Sequence, residues 1–142
     1  MITSARNQFS GEVQAARHGA VNDEVTIRLA GGQEIVATVT SESATRLGLA
    51  QGKKAVAMVK ATSVVVMVDV DVSKVSARNA VSGKVTNLRK GAVNADVTIT
   101  DDAGLAISAI ITNSSADRLG LAVGKPAAAV FKASSVIVGV DG

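Results

Sequence analysis

The chain repeats itself. Ser4-Ala5-Arg6-Asn7 returns as Ser76-Ala77-Arg78-Asn79, Arg46-Leu47-Gly48-Leu49-Ala50 as Arg118-Leu119-Gly120-Leu121-Ala122, and Lys60-Ala61-Thr62-Ser63-Val64 as Lys132-Ala133-Ser134-Ser135-Val136. All three matches share one gap-free offset of 72 residues, so the chain is two copies of one small unit in tandem. The copies span residues 1–69 and 76–142, with 70–75 as the join. Units of this size bury only about 60% of the surface their unfolded chain exposes. With no cysteine and no cluster of zinc ligands, neither disulfide nor structural metal can staple them. Packing against further copies is the remaining route to stability, which predicts an oligomer.

Hydrophobic residues make up 47% of the chain and aromatic ones 1%. Valine and alanine dominate, interleaved with polar residues. The densest run, Val64-Val65-Val66-Met67-Val68, stops at Asp69, well short of the roughly 20 residues of a membrane span. Met1 to Asn7 contains no apolar signal segment. A soluble, cytoplasmic protein with no membrane partner is expected. The net charge of +3 is spread out, and two Phe with neither Trp nor Tyr leave almost no platform for base stacking. A small anionic ligand suits this balance at least as well as nucleic acid.

Alternation at period two predicts strands at 9–15, 24–29, 34–40, 54–60 and 63–69, with Ala30-Gly31-Gly32 as a tight turn. Between the third and fourth strands the period changes. Thr40-Ser41-Glu42-Ser43 opens with capping residues and Gly48 closes, predicting a helix of one or two turns, as Thr112 to Gly120 does in the second copy. The expected class is therefore all-β: two tandem five-stranded barrels of OB type, each with one short helix. The join, Val70 to Val75, contains neither Gly nor Pro and is expected to be stiff and strand-like.

Polar residues identical in both copies include Ser4, Arg6, Asn7, Ser10, Arg17, Asn22, Thr26, Thr40, Ser43, Arg46, Lys53, Lys60, Ser63 and Asp69, each with its partner 72 positions on. Donors dominate. Asp69 and Asp141 are the only carboxylates and no histidine recurs, the opposite of what a bare metal cation or an acid–base pair needs. Hydroxyl, amide, guanidinium and ammonium groups suit a bound oxyanion. Three segments could assemble such a site: Ser4-Ala5-Arg6, the helix start from Thr40 to Ala44, and Lys60-Ala61. Each has a plainer reading. Thr40, Ser41 or Ser43 can simply cap the helix, Lys60 can be a solvated strand end, and Arg6 can pair with Asp69. His18 becomes Lys90 and reads as a solvated turn residue; Gly19-Ala20-Val21-Asn22, repeated as Gly91-Ala92-Val93-Asn94, reads as a hairpin corner. No nucleophile–base set, P-loop or dinucleotide fingerprint is present, so no enzyme is expected.

These segments, with Ser43-Ala44-Thr45-Arg46-Leu47-Gly48-Leu49, resemble the molbindins, small molybdate-binding proteins built of Mop domains. Two fused copies resemble the di-domain members in particular. Gln8 departs from the pattern in the second copy, where Ala80 replaces it. The resemblance implies non-catalytic binding of molybdate, with tungstate as an analogue and no organic cofactor, for molybdenum storage and homeostasis. It implies a homotrimer with anion sites at contacts between domains. Ser4, Arg6, Thr40, Ser43, Lys60 and Ala61 would serve one set of sites; Ser76, Arg78, Thr112, Ser115, Lys132 and Ala133 would serve the other. A second class of site is implied near the threefold axis, with the corners Gly19, Ala20, Val21, Asn22 and Gly91, Ala92, Val93, Asn94 as weaker candidates. The alternatives are a nucleic-acid-binding OB protein and a protein that binds the molybdenum cofactor, a molybdopterin.

Overall fold

A computed structural model describes every residue from Met1 to Gly142. The first copy forms β1 (Asn7–Arg17), β2 (Asn22–Leu29), β3 (Glu34–Thr40), α1 (Ser41–Leu47), β4 (Lys54–Val59) and β5 (Val65–Met67). The second forms β6 (Asn79–Lys90), β7 (Asn94–Thr100), β8 (Ala106–Thr112), α2 (Asn113–Arg118), β9 (Pro126–Phe131) and β10 (Ile137–Gly139). The all-β class and the single helix after each third strand are as the alternation and capping residues predict. No helix is long and apolar enough to cross a membrane.

The strands make two five-stranded antiparallel sheets, ordered β10-β4-β1-β2-β3 and β5-β9-β6-β7-β8. Each therefore takes its last strand from the other copy. Met58 pairs with Ile137 and Ala57 with Val138; in return Val65 pairs with Val130 and Val66 with Ala129. The compact units are Met1–Val59 with Lys132–Gly142, and Lys60–Phe131. They do not coincide with the sequence repeats. The cause is local: after Val59 the chain enters a 3₁₀ turn, Ala61–Ser63, closed by Ser63 N–H donating to the Lys60 carbonyl at 2.9 Å. That turn carries the fifth strand away from β4 instead of folding it back as a hairpin. Lys132–Ser135 repeats the arrangement.

The join is not a strand. Val72–Lys74 forms one 3₁₀ turn whose cap, Asp71, accepts from Ser73 N–H at 3.0 Å and Ser73 Oγ–H at 2.6 Å. A short carboxylate two residues before a serine offers the backbone a local turn, which outweighs the β preference of the flanking valines.

The first strand of each copy serves two partners. β1 pairs with β4 over Asn7–Glu12 and with β2 over Gly11–Arg17, and a bulge between Val13 and Ala15 bends it between the two. β6 does the same between Val85 and Asn87. Gly11 stands where both ladders overlap, opposite Leu29 and Ala55, and a Cβ there would overlap the backbone carbonyl of Arg28. Gly83 faces Thr100 in the same way. Inside the bend lie Val13, Val25, Ile27, Ile35, Ala37 and Val59, matched by Val85, Val97, Ile99, Ile107, Ala109 and Phe131, all fully buried.

Gly11→Ala should therefore cost about 1–3 kcal/mol by forcing the β1–β2 backbones apart, whereas Ser10→Ala beside it should stay within about 0.5 kcal/mol. Urea unfolding of the two variants checks this; equal midpoints would show that the ladders tolerate the extra methyl.

Candidate functional site

The β1–β4 ladder begins at the pair Asn7 and Val59, so Arg6 immediately precedes one member and Lys60 immediately follows the other. Asn79 and Phe131 place Arg78 and Lys132 identically. Both asparagines are buried, while Ser4, Arg6, Lys60 and their counterparts Ser76, Arg78 and Lys132 are exposed. Lys60 and Lys132 cap the 3₁₀ turns that follow. Ala61 and Ala133 are buried, so they have only backbone groups to offer.

Thr40 is the N-cap of α1. Its Oγ accepts from Ser43 N–H at 3.1 Å and donates to Ser43 Oγ at 2.8 Å. Thr112 and Ser115 repeat this at 3.0 and 2.9 Å. The threonines thus perform the capping role that the sequence left open, and each hydroxyl donates a hydrogen bond to a serine. A hydroxyl that accepts one hydrogen bond is polarised to donate another, so the cap leaves Ser43 and Ser115 with a strengthened donor each.

The hairpin corner and the helix start form one piece of structure. Asn22 pairs with Thr40, and Ser41 N–H donates to the Val21 carbonyl at 2.8 Å; Asn94 pairs with Thr112, and Asn113 N–H reaches the Val93 carbonyl at 2.8 Å. The segments Gly19–Asn22 and Thr40–Ser43 are therefore adjacent, and Val21 and Val93 project at 71% and 69% exposure.

Beneath the first corner lies a residue that comparison of the copies passes over. Asp23 is 1% exposed. Its carboxylate accepts from Ser41 Oγ at 2.6 Å, from Gly19 N–H at 3.3 Å, and meets His18 Nδ1 at 2.7 Å. The Ser41 hydroxyl, followed by the His18 ring and the Gly19 N–H, holds this carboxyl below the usual aspartate range against the upward push of burial. His18, expected to be merely solvated, has an exposed ring anchored by this bond. The second corner is built differently. Ala95 replaces Asp23, Asn113 replaces Ser41 and donates from Nδ2 to the Gly91 carbonyl at 2.9 Å, and Lys90 replaces His18 and pairs with Asp117. The joint change at three positions was the available signal. Beside it, Arg89, Lys90, Gly91, Asn94 and Asp96 line an open hollow of about 400 Å³. A larger hollow, about 930 Å³, lies elsewhere, between Gly11, Lys53 and Gly142. No group of three or more His, Cys, Asp or Glu side chains is placed to hold a cation.

Comparison with known proteins bears on this geometry. The TOBE domain matches residues 3–66 and again 75–138. The chain is 46% identical over 141 residues to the molybdenum transport protein ModE of Herbaspirillum seropedicae, covering 99% of this chain and 52% of that one. It is 41% identical over 138 residues to the molybdenum-pterin-binding protein MopA of Rhodobacter capsulatus, covering 97% and 52%. The chain thus spans about half the length of the curated relatives it matches. A crystal structure of the cytoplasmic molybdate-binding protein ModG with molybdate bound superposes with a TM-score of 0.92 at 48% identity, covering 99% of this chain and all of that one.

Two outcomes follow from the geometry. Thr40→Ala and Thr112→Ala should each cost about 1 kcal/mol in denaturant unfolding, the usual loss of an N-cap. Because the Asp23 carboxyl titrates lower folded than unfolded, its contribution is complete above the ordinary aspartate pKa and is lost as pH falls through the folded value. The stability gap between the natural chain and Asp23→Ala should hold from neutrality down to about pH 4 and close below it. A gap unchanged at pH 3 would show that the charge contributes nothing.

Proposed function

The chain belongs to the TOBE domain family, with two tandem copies of that domain, and on that premise we propose that it binds molybdate reversibly and non-catalytically. The observation that carries this reading is the full-length likeness to molybdate-bound ModG. Within the chain it is supported by the duplicated set of donors: Ser4, Arg6, Ser43, Lys60 and the backbone of Ala61, with Ser76, Arg78, Ser115, Lys132 and the backbone of Ala133. Thr40 and Thr112 act through the serines they polarise. The corners Gly19–Asn22 and Gly91–Asn94 are the candidates for a second class of site. We assign the working form to a homotrimer in the cytoplasm that completes the sites between domains, serves molybdenum storage, and also accepts tungstate.

Molybdate is a tetrahedral dianion with four acceptor oxygens and no proton at neutral pH. A cage made only of donors satisfies it. Hydrogen phosphate would leave its hydroxyl without an acceptor, a penalty of about 1–3 kcal/mol. Sulfate is excluded by its smaller size. Each charge-assisted bond contributes roughly 1.5–3 kcal/mol, so four or five, less the cost of ordering the donors, reach the roughly −8 kcal/mol of micromolar binding. An anion placed between cationic side chains also offsets their mutual repulsion, so ligand and assembly stabilise each other.

The MopA likeness favours a second reading, binding of a molybdenum-bearing pterin. Pterin absorbance carried through purification would support it. ModE relatives named transcriptional regulators, of which the chain covers about half, favour a third, part of a longer regulator. In the natural chain, calorimetric titration should show uptake of molybdate and tungstate with sulfate and phosphate silent. Arg6→Ala with Arg78→Ala should weaken uptake by about tenfold or more, the loss of one charge-assisted bond per site, while leaving the strand signal in circular dichroism intact. Unchanged uptake would remove both arginines from the sites.

A further inference from the structure

The two copies share the donors of the proposed sites but differ in fixed charge at the corners behind them. At the first corner stand two carboxylates, buried Asp23 and exposed Glu42 in the first turn of α1. Among the residues that differ between the copies here, His18, bonded to Asp23 and mostly exposed, is the one able to offset them. At the second, Ala95 and Ser114 replace both carboxylates, and the added cation Lys90 is neutralised by its pair with Asp117. Nearest the corners, the other charges keep their sign in both copies: Arg17 and Arg89, Glu24 and Asp96, Arg46 and Arg118; the charges that do change, Glu12 to Lys84, Arg28 to Thr100 and Glu34 to Ala106, are cross-strand neighbours at the far end of the ladders. With a neutral imidazole the first corner therefore carries two more negative charges than the second.

Asp23 is tied to the donor group through one residue. Its carboxylate accepts from Ser41, which stands between Thr40 and Ser43 in sequence, and its neighbour Asn22 pairs with Thr40. We propose that Asp23 and Glu42 are affinity-determining residues that make the first copy the weaker oxyanion site, so that the second copy fills first. The inference rests on the molybdate reading but concerns only the difference between copies. Two carboxylates lying within about one Debye length of a bound dianion, and so only partly screened at physiological salt, would lower its affinity by roughly tenfold.

The test exchanges the corners in the full chain. Each corner is already compatible with this fold, so the substitutions bring in side chains the fold accommodates at the equivalent positions. One variant carries His18→Lys, Asp23→Ala, Ser41→Asn, Glu42→Ser and Thr45→Asp; its reciprocal carries Lys90→His, Ala95→Asp, Asn113→Ser, Ser114→Glu and Asp117→Thr. Titrated with sodium molybdate, the first should tighten the weaker sites by roughly tenfold and the second should loosen the stronger sites by as much, both effects shrinking in high salt. Glu42→Ser alone, on the exposed face, should give about a threefold gain and serves if a multiple variant misfolds. Affinities within twofold of the natural chain in these variants would overturn the proposal. No molybdate uptake by the natural chain would instead end the molybdate reading on which it rests.

Discussion

The antiparallel ladder between β1 and β4, with its counterpart between β6 and β9, governs where the donors of each copy can go. Its first pair, Asn7 with Val59, sits beside buried side chains, and one step further along each strand stand Arg6 and Lys60. Neither cation is delivered by a long loop. Both leave the end of a hydrogen-bonded ladder, so the backbone that carries them is already fixed. The bulge that bends β1 and the glycine that lets β2 approach are what allow one strand to end in this ladder while holding the corner at its far end.

Strand positions were legible because a half-buried sheet imposes period-two alternation, and Ile27, Ile35 and Ala37 obey it without exception. The helices were legible from Thr40 and Gly48, which occupy the cap and the left-handed stop expected of them. Strand ownership was not. Val64-Val65-Val66 and Val136-Ile137-Val138 are nearly the same sequence, so either satisfies either edge, and no side-chain pattern records which one it meets. The 3₁₀ turn at Ala61–Ser63 decides the matter, and three residues carry too little signal to announce it.

Within the site, the duplication was both guide and blind spot. Keeping only residues identical in both copies singled out Thr40 and Ser43, whose paired hydroxyls recur at α2. The same filter discarded Asp23, because Ala95 differs, and undervalued His18, because Lys90 differs. Yet those three first-copy residues, His18, Asp23 and Ser41, are joined through the Asp23 carboxylate, and all three change together. A buried carboxylate without its donors would be costly, so loss of one member favours replacement of the rest. What varied between the copies varied as a unit.

The exchanged fifth strands also constrain the order of events during synthesis. A compact unit drawn from Met1–Val59 and Lys132–Gly142 cannot close while the ribosome still holds its final segment. The half of the chain made first must therefore wait, edge exposed, whereas Lys60–Phe131 is contiguous and free to settle earlier. A nascent chain stalled before Lys132 would present β4 as an open template to any passing strand, which makes Ile137–Gly139 the guardian of an edge laid down some eighty residues earlier.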